Sequence, residues 1–248
     1  MADLGDLLEI GRDDDDRRAA AQGGIEEPVN LRLRADIDAS APSFGLPDNA
    51  AQVMEAVRAR PSFLMVGTVE PRKGHTQALA AFEQLWQDGA QVNLVIVGKQ
   101  GWMMEKLAER MMDHPEKDKR LFWLPGISDE MLLKLYASSA ALLSPSEGEG
   151  FGLPLIEAAQ HNIPIVARDL PVFREVAGEH AYYFEGLEPQ ALADTLSRWL
   201  ALNAEGKAPQ STGMTWLNWS DSARQVLNAV EKQQWYKVVP GAIAAPSP

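Results

Sequence analysis

From Pro61 onward, short apolar runs alternate with segments in which apolar residues have helical spacing. The runs lie at Ser62–Gly67, Asn93–Gly98, Leu121–Leu124, Ala140–Leu143, Ile163–Ala167 and Ala181–Phe184. Strands that are apolar on both faces are typical of a parallel sheet covered by helices on both sides. The pattern therefore predicts an α/β fold with a doubly wound, Rossmann-like parallel sheet of about six strands.

The segments between these runs carry the usual signals of helix ends. Asp88-Gly89 ends the first predicted helix, Ser128 can cap another, and Pro154 and Pro189 suit the first turns of two more. One apolar stripe at helical spacing, Met103, Met104, Leu107, Ala108 and Met111, is interpreted as core-facing, and a final helix is predicted to carry Ala223, Val226, Leu227 and Val230. Methionines at this spacing favour core packing over a binding surface.

Composition excludes several classes of function. The chain has 248 residues, no cysteine and a net charge of −12, which argues against nucleic acid or an anionic membrane as its main partner. No apolar run approaches the roughly 18 residues of a membrane span, and the first residues lack the order of a signal peptide. We expect a cytoplasmic protein. The four histidines lack metal-ligand spacing, so no metal is predicted.

The loop after the first strand, Gly67–His75, places Arg72 and Lys73 between a strand end and a helix start. Helix N-termini attract anions, and two cations add full charges to that effect. Since glycines on either side permit close approach of the backbone, a diphosphate would fit here. Two solvated cations at an ordinary turn remain the alternative.

The loop after the fourth strand carries glycines at 148, 150 and 152 and two acids, Glu149 and Glu157. It lacks the G-x-G-x-x-G arrangement of a dinucleotide site. Ionised carboxylates are hydrogen-bond acceptors, so the pair suits the hydroxyls of a sugar and a ribose. Glu157 alone would be read as a solvated helix carboxylate, but its spacing from Glu149 favours a shared role.

Two further segments are open to more than one interpretation. The loop Leu124–Glu130 could offer its backbone to the edge of a base, or could be a helix cap only. Asp169, Arg174 and Glu175 could lie near the site, although surface ion pairing is favoured. The acidic run Asp13–Asp16 is read as solvated rather than as a metal-binding motif, because no apolar strand precedes it.

Together these segments resemble the donor-binding domain of family 4 retaining glycosyltransferases, which have the two-Rossmann-domain GT-B architecture. The resemblance spans roughly residues 31–230 and is carried by Gly67–His75, Asn93–Lys99, Leu124–Glu130 and the E-x7-E motif of Glu149 and Glu157. Among such enzymes the chain is most similar to bacterial mannosyltransferases that build surface polysaccharide. The fold implied is the C-terminal half of a GT-B protein.

The resemblance implies roles for individual residues. Arg72 and Lys73 would hold the donor diphosphate, and Glu149 would contact the donor sugar, which makes these three the catalytic set. The implied donor-binding set is Gly67, Thr68, Lys99, Ile127, Gly150, Phe151, Gly152, Leu153 and Glu157. Catalysis would need no metal and no cofactor. The expected donor is GDP-mannose, with a UDP-sugar as the alternative.

The resemblance also suggests how the chain is organised. Residues 1–60 would be a partly disordered remnant with an inter-domain connector, 61–235 the nucleotide-sugar-binding domain, and 236–248 a flexible tail. An acceptor domain, for a glycan or lipid-linked acceptor, would be largely missing or supplied by another chain, with the protein peripheral at the inner face of the membrane. The alternative is a non-catalytic nucleotide-sugar-binding or scaffold module.

Overall fold

The structure is a computed structural model that describes residues 44–217 and 219–231. The acidic run Asp13–Asp16, most of the predicted connector and the predicted tail lie outside the described residues. No helix within the described part of the chain is both long enough and apolar enough to cross a bilayer.

The described chain forms a parallel sheet of six strands in the order β3-β2-β1-β4-β5-β6. The strands are β1 (Ser62–Val66), β2 (Asn93–Val97), β3 (Leu121–Leu124), β4 (Ala141–Ser144), β5 (Ile165–Arg168) and β6 (Tyr182–Phe184). The strand order reverses between β1 and β4, and a doubly wound sheet leaves its ligand crevice at that point. The predicted fold class is confirmed.

Helices cover both faces of the sheet. They are α1 (Ala50–Ala59), α2 (His75–Gln87), α3 (Glu105–Met112), α4 (Asp129–Ser138), α5 (Leu153–Gln160), α6 (Pro171–Ala177), α7 (Pro189–Ala204) and α8 (Trp219–Glu231), with a 3-10 turn at Pro71–Lys73. The predicted helix ends at Asp88-Gly89 and the starts at Pro154 and Pro189 are confirmed. Ser128 caps α4, because its hydroxyl accepts the amide hydrogen of Met131 at 3.1 Å.

Two cores result from the alternation of side chains along the strands. Leu64 points into the core beneath α1, α4, α5 and α6, whereas Phe63 points into the core beneath α2, α3 and α7. Phe63 packs edge-on against Phe82 and Trp199, with ring centroids 5.7 and 5.3 Å apart. Both faces of the sheet are therefore buried, which is why its strands read as continuous apolar runs.

Helix α1 was not predicted from the sequence. Its residues Ala50, Val53, Met54 and Val57 are buried in the same core as Leu64. A domain boundary at Pro61 therefore leaves out a helix that contributes to the core.

One helical stripe differs from the prediction, and the apolar residues of the last helix are exposed. Met103 lies before α3 with φ of 54° and is 73 % exposed, so the core-facing stripe of this helix begins at Met104. Helix α8 forms as predicted, but Val226, Leu227 and Val230 are 62, 55 and 70 % exposed. Its apolar face therefore does not pack on the core of the described chain.

Candidate functional site

Strands β1 and β4 are neighbours, so the loops that leave their carboxyl ends lie side by side at the reversal of strand order. A backbone hydrogen bond ties the loops together, from the amide of Glu147 to the carbonyl of Arg72 at 2.7 Å. The two segments that the sequence singled out for anion and sugar chemistry are thus brought to one edge of the sheet.

Gly74 makes the close approach of these loops possible. It adopts the left-handed region, with φ of 73°, between the 3-10 turn and α2. A Cβ at this position would lie 2.3 Å from the carbonyl oxygen of Pro145 in the β4 loop. Only glycine satisfies both the backbone angle and the contact without strain.

Glu149 is held by both cations of the β1 loop. Its Oε1 accepts from Lys73 Nζ at 2.7 Å and from the Ser146 hydroxyl at 2.9 Å, while its Oε2 accepts from Arg72 Nη1 at 3.1 Å. The Lys73 and Glu149 side chains are only 7 and 9 % exposed, whereas that of Arg72 is 43 % exposed. The predicted catalytic set therefore forms one cluster, with Arg72 at its open side.

An open cleft of about 400 Å³ adjoins this cluster. Its lining comprises Arg72, Lys73, Gly148, Glu149, Gly150, Phe151, Gly152, Leu153 and Pro154. The cleft ends at the first turn of α5, where the positive end of the helix dipole favours an anion. Phe151 is 52 % exposed and contributes apolar surface at the rim. Cations, helix amides and an acid thus face one cavity that can take a polar, anionic ligand.

Glu157 has a different position from Glu149. It lies on α5, is 8 % exposed, and accepts a hydrogen bond from the Tyr136 hydroxyl of α4 at 2.6 Å. The Tyr136 ring stacks on His161, with centroids 5.2 Å apart. Glu157 is not among the residues that line the cleft beside Glu149, and its ribose role remains a prediction. Tyr136 was missed by the sequence reasoning because it lies within an apolar helical stripe.

The remaining predicted donor-binding residues lie at the same edge of the sheet. Gly67 and Thr68 follow β1 and are buried. Lys99 follows β2 and is exposed, and its carbonyl accepts from the amide of Val69 at 2.9 Å. Ile127 follows β3 and is buried, at 6 % exposed. Their predicted contacts with a base or phosphate remain predictions.

Asp169 and Arg174 form the surface ion pair that the sequence favoured. Arg174 Nη2 lies 2.7 Å from Asp169 Oδ2, and its guanidinium also stacks over the Tyr183 ring at 3.7 Å. The hydrogen bond from Arg174 lowers the pKa of Asp169. These residues support each other and need no ligand to explain them.

His75 is a titratable residue of the site that the sequence did not mark. It is 2 % exposed at the start of α2 and lines a small cavity together with Lys73 and Glu149. Burial lowers its pKa to about 3, a hydrogen bond to the Glu70 backbone opposes this shift, and the charge of Lys73 adds to it. The imidazole is therefore neutral at physiological pH and adds no charge beside Lys73.

The buried His75 should make the protein less stable in acid. Its pKa is near 6.5 in the unfolded chain and about 3 in the folded protein, so its contribution to stability is complete above pH 6.5 and is lost as the pH falls towards 3. Between pH 7 and pH 5 the wild type should lose about 2 kcal/mol of unfolding free energy through this residue. Urea unfolding of wild type and His75→Gln measures the difference. Equal pH slopes in the two proteins would contradict the prediction, and His180→Gln is the control.

Within the described residues, no three or more histidine, aspartate, glutamate or cysteine side chains are grouped so that they could hold a metal ion. Positive charge at the site comes from Arg72, Lys73 and the start of α5. These groups are fixed by the fold before any ligand arrives.

Comparison with known sequences identifies related proteins. The sequence profile described as Glycosyl transferases group 1 matches residues 50–213. The serotype-specific mannosyltransferase WbdA of Escherichia coli is 55 % identical over 203 residues, which are 82 % of this chain and 25 % of that protein. The O-antigen chain mannosyltransferase RfbU of Salmonella typhimurium is 38 % identical over 122 residues, 49 % of this chain and 33 % of that protein. The chain thus spans about a quarter to a third of the length of these relatives.

Solved structures share the fold at low sequence identity. The Anabaena protein Alr3699/HepE, crystallised with UDP and glucose, superposes with a TM-score of 0.58 at 16 % identity, over 77 % of this chain and 53 % of that one. The C-terminal domain of the group 1 glycosyl transferase LpcC from Francisella tularensis has a TM-score of 0.52 at 18 % identity, over 67 % of this chain and 89 % of that domain. The second match is to a single domain of similar extent.

Proposed function

Because this chain belongs to the group 1 glycosyl transferases, we propose that it is the donor-binding domain of a retaining mannosyltransferase whose donor is GDP-mannose. The observation that carries the proposal is the cluster of Arg72, Lys73 and Glu149 at the cleft between the β1 and β4 loops. The mannosyltransferase names of its relatives support mannose as the sugar.

The geometry suits departure of a nucleoside diphosphate. When the bond from the sugar to the diphosphate breaks, negative charge grows on the leaving phosphate oxygen. Lys73 and Arg72 are held in place by Glu149, so they can stabilise that charge without reorganising. The amides at the start of α5 add a partial positive charge on the same side of the cleft. With two cations and a helix terminus present, the transfer needs no divalent ion.

Glu149 has two roles in this proposal. Without a donor its single negative charge lies between the two cations, which would otherwise repel each other, and Glu70 also pairs with Arg72 at 3.1 Å. With a donor bound, the phosphates share the cations and the carboxylate can accept hydrogen bonds from sugar hydroxyls. The cations are therefore already in place when the donor enters, and they gain the phosphates as additional partners.

A second domain is needed for efficient transfer. The cleft is open on one side, and most of the rate of a two-substrate transfer comes from holding both reactants in register. We propose that an acceptor domain, in another part of a longer protein or on another chain, closes over the cleft with a glycan or lipid-linked acceptor. By itself the domain should bind the donor and transfer little.

Calorimetry against a panel of GDP-mannose, GDP-glucose, UDP-glucose and UDP-galactose, with EDTA present, tests the proposed donor. GDP-mannose should bind at least about tenfold more tightly than either UDP-sugar, a difference of about 1.4 kcal/mol. Tighter binding of a UDP-sugar would reject the proposed base, and no binding of any sugar nucleotide would reject the proposed function. If the donor binds but an added acceptor domain produces no mannose transfer, the chain is a binding module instead.

A further inference from the structure

Arg168, the last residue of β5, is a buried cation that the catalytic scheme does not use. It is 6 % exposed and lies beside the end of β4, where Ser144 pairs with Ala167. The oxygens that accept its hydrogen bonds belong to backbone carbonyls and one amide side chain, all of them neutral. A buried charge whose hydrogen-bond partners are neutral has a high desolvation cost, which the charge of Glu147 offsets only in part, so its position calls for a structural or functional reason.

One side of the guanidinium holds the start of the β4 loop. Arg168 Nε donates to the carbonyl oxygens of Pro145 and Ser146 at 3.2 and 3.0 Å, and Nη2 donates to that of Pro145 at 3.0 Å. Ser146 in turn donates its hydroxyl hydrogen to Glu149 Oε1 at 2.9 Å. Ser146 therefore links Arg168, through its backbone carbonyl, to the carboxylate of Glu149, through its hydroxyl.

The other side of the guanidinium is anchored to two more elements. It donates to the Gln77 side chain on α2 and to the carbonyl of Gly186 after β6. Gln77 also donates to the carbonyls of Gly186 and Glu188, at 3.1 and 3.0 Å. Since α2 follows the loop of Arg72 and Lys73 directly, Arg168 links both halves of the site to one fixed point.

We propose that Arg168 is a positioning residue for the donor site: by fixing the carbonyls of Pro145 and Ser146, it sets the course of the loop that presents Glu149 to Lys73 and to the donor. This inference rests on the proposed function for its ligand. The effect of Arg168 on the β4 loop can be measured in the protein without any ligand.

The loop needs such a fixed point because its sequence supplies little rigidity. Glycines at 148 and 150 flank Glu149, and a Cβ at either would meet no atom within 4 Å. Glycine-rich backbone has high conformational entropy, so the loop would sample many arrangements if its start were released. A planar guanidinium donates in several fixed directions at once, whereas an ammonium group acts as a point charge on a flexible stem. Burial lowers the pKa of Arg168, yet arginine remains charged in proteins.

The test compares Arg168→Lys with the control Arg120→Lys, which alters a half-buried arginine at the opposite edge of the sheet, paired with Glu116. Hydrogen exchange of the Glu147 amide, which donates to the Arg72 carbonyl at 2.7 Å, reports the loop in the free protein. Arg168→Lys should speed this exchange at least about tenfold while amides of β1 and β2 stay protected. Its affinity for GDP should fall about tenfold, and Arg120→Lys should change neither.

Three outcomes separate the proposals. If Arg168→Lys speeds exchange of the Glu147 amide but the wild-type protein does not bind GDP, the nucleotide-sugar assignment is refuted. The loop role of Arg168 then still stands. Unchanged exchange and affinity in folded Arg168→Lys, even with a lower melting temperature, would overturn the positioning role. If Arg168→Lys does not fold, Gln77→Leu can be used, because it removes one anchor of the guanidinium. This variant should lose less Glu147 amide protection and less GDP affinity than expected for Arg168→Lys. If it loses neither, the positioning role of Arg168 is also overturned.

Discussion

Replacing Lys73 by methionine should weaken the binding of GDP by roughly 10- to 100-fold. Lys73 Nζ is buried beside the cleft and lies 2.7 Å from Glu149 Oε1, and the proposed function assigns it a contact with the donor phosphate. A hydrogen bond to a charged group contributes about 1.5–3 kcal/mol, and 1.4 kcal/mol corresponds to a factor of ten. Calorimetry with GDP and EDTA measures the change.

The same substitution should destabilise the free protein by about 3–5 kcal/mol, because it leaves the buried Glu149 carboxylate with one cation fewer. The double variant Lys73→Met/Glu149→Gln should regain much of that stability and still bind GDP weakly, since the missing charge is not restored. Lys207→Met is the matched control: it also breaks a lysine–glutamate pair of 2.7 Å, but an exposed one beyond the end of α7. GDP affinity within twofold of wild type in Lys73→Met would disprove a phosphate role.

Replacing Gly74 by alanine should lower the unfolding free energy by about 3–5 kcal/mol. The left-handed backbone contributes about 1–2 kcal/mol of this cost, and a Cβ placed 2.3 Å from the Pro145 carbonyl oxygen must push the two loops apart. Urea unfolding at constant pH measures the change. Because the displaced loop carries Glu149, GDP affinity should fall as well.

Gly89→Ala separates these two contributions. Gly89 has a similar φ of 87°, but a Cβ there would meet nothing within 4 Å. Its substitution should cost about 1–2 kcal/mol through backbone strain alone and leave ligand binding unchanged. If Gly74→Ala and Gly89→Ala lose equal amounts of unfolding free energy, the contact between the β1 and β4 loops is not tight in solution.

The sequence predicted the sheet well because its signal is local. A strand buried on both faces must be apolar at nearly every position, and strands such as β1 and β2 show this directly. Helix α1 was missed although Ala50, Val53, Met54 and Val57 have helical spacing. Alanine and valine are weak signals, and the preceding proline- and serine-rich stretch suggested a connector instead.

The candidate site was predicted in part for a similar reason. Arg72, Lys73 and Glu149 lie in loops whose glycines and charges are visible in the sequence, and the parallel sheet dictates that such loops meet at one edge. The partners of Arg168 and the hydrogen bond from Tyr136 to Glu157 depend on contacts between distant segments. No periodicity or spacing encodes those contacts, so only the folded structure could reveal them.

Helix α1 has a practical consequence for anyone who isolates this domain. A recombinant fragment trimmed to start at Pro61 would leave Leu64 and its neighbours, which α1 helps to cover, open to water, and exposed apolar surface of this kind promotes aggregation. Fragments that begin ahead of Ala50 keep this cover, and they are the ones to purify and crystallise.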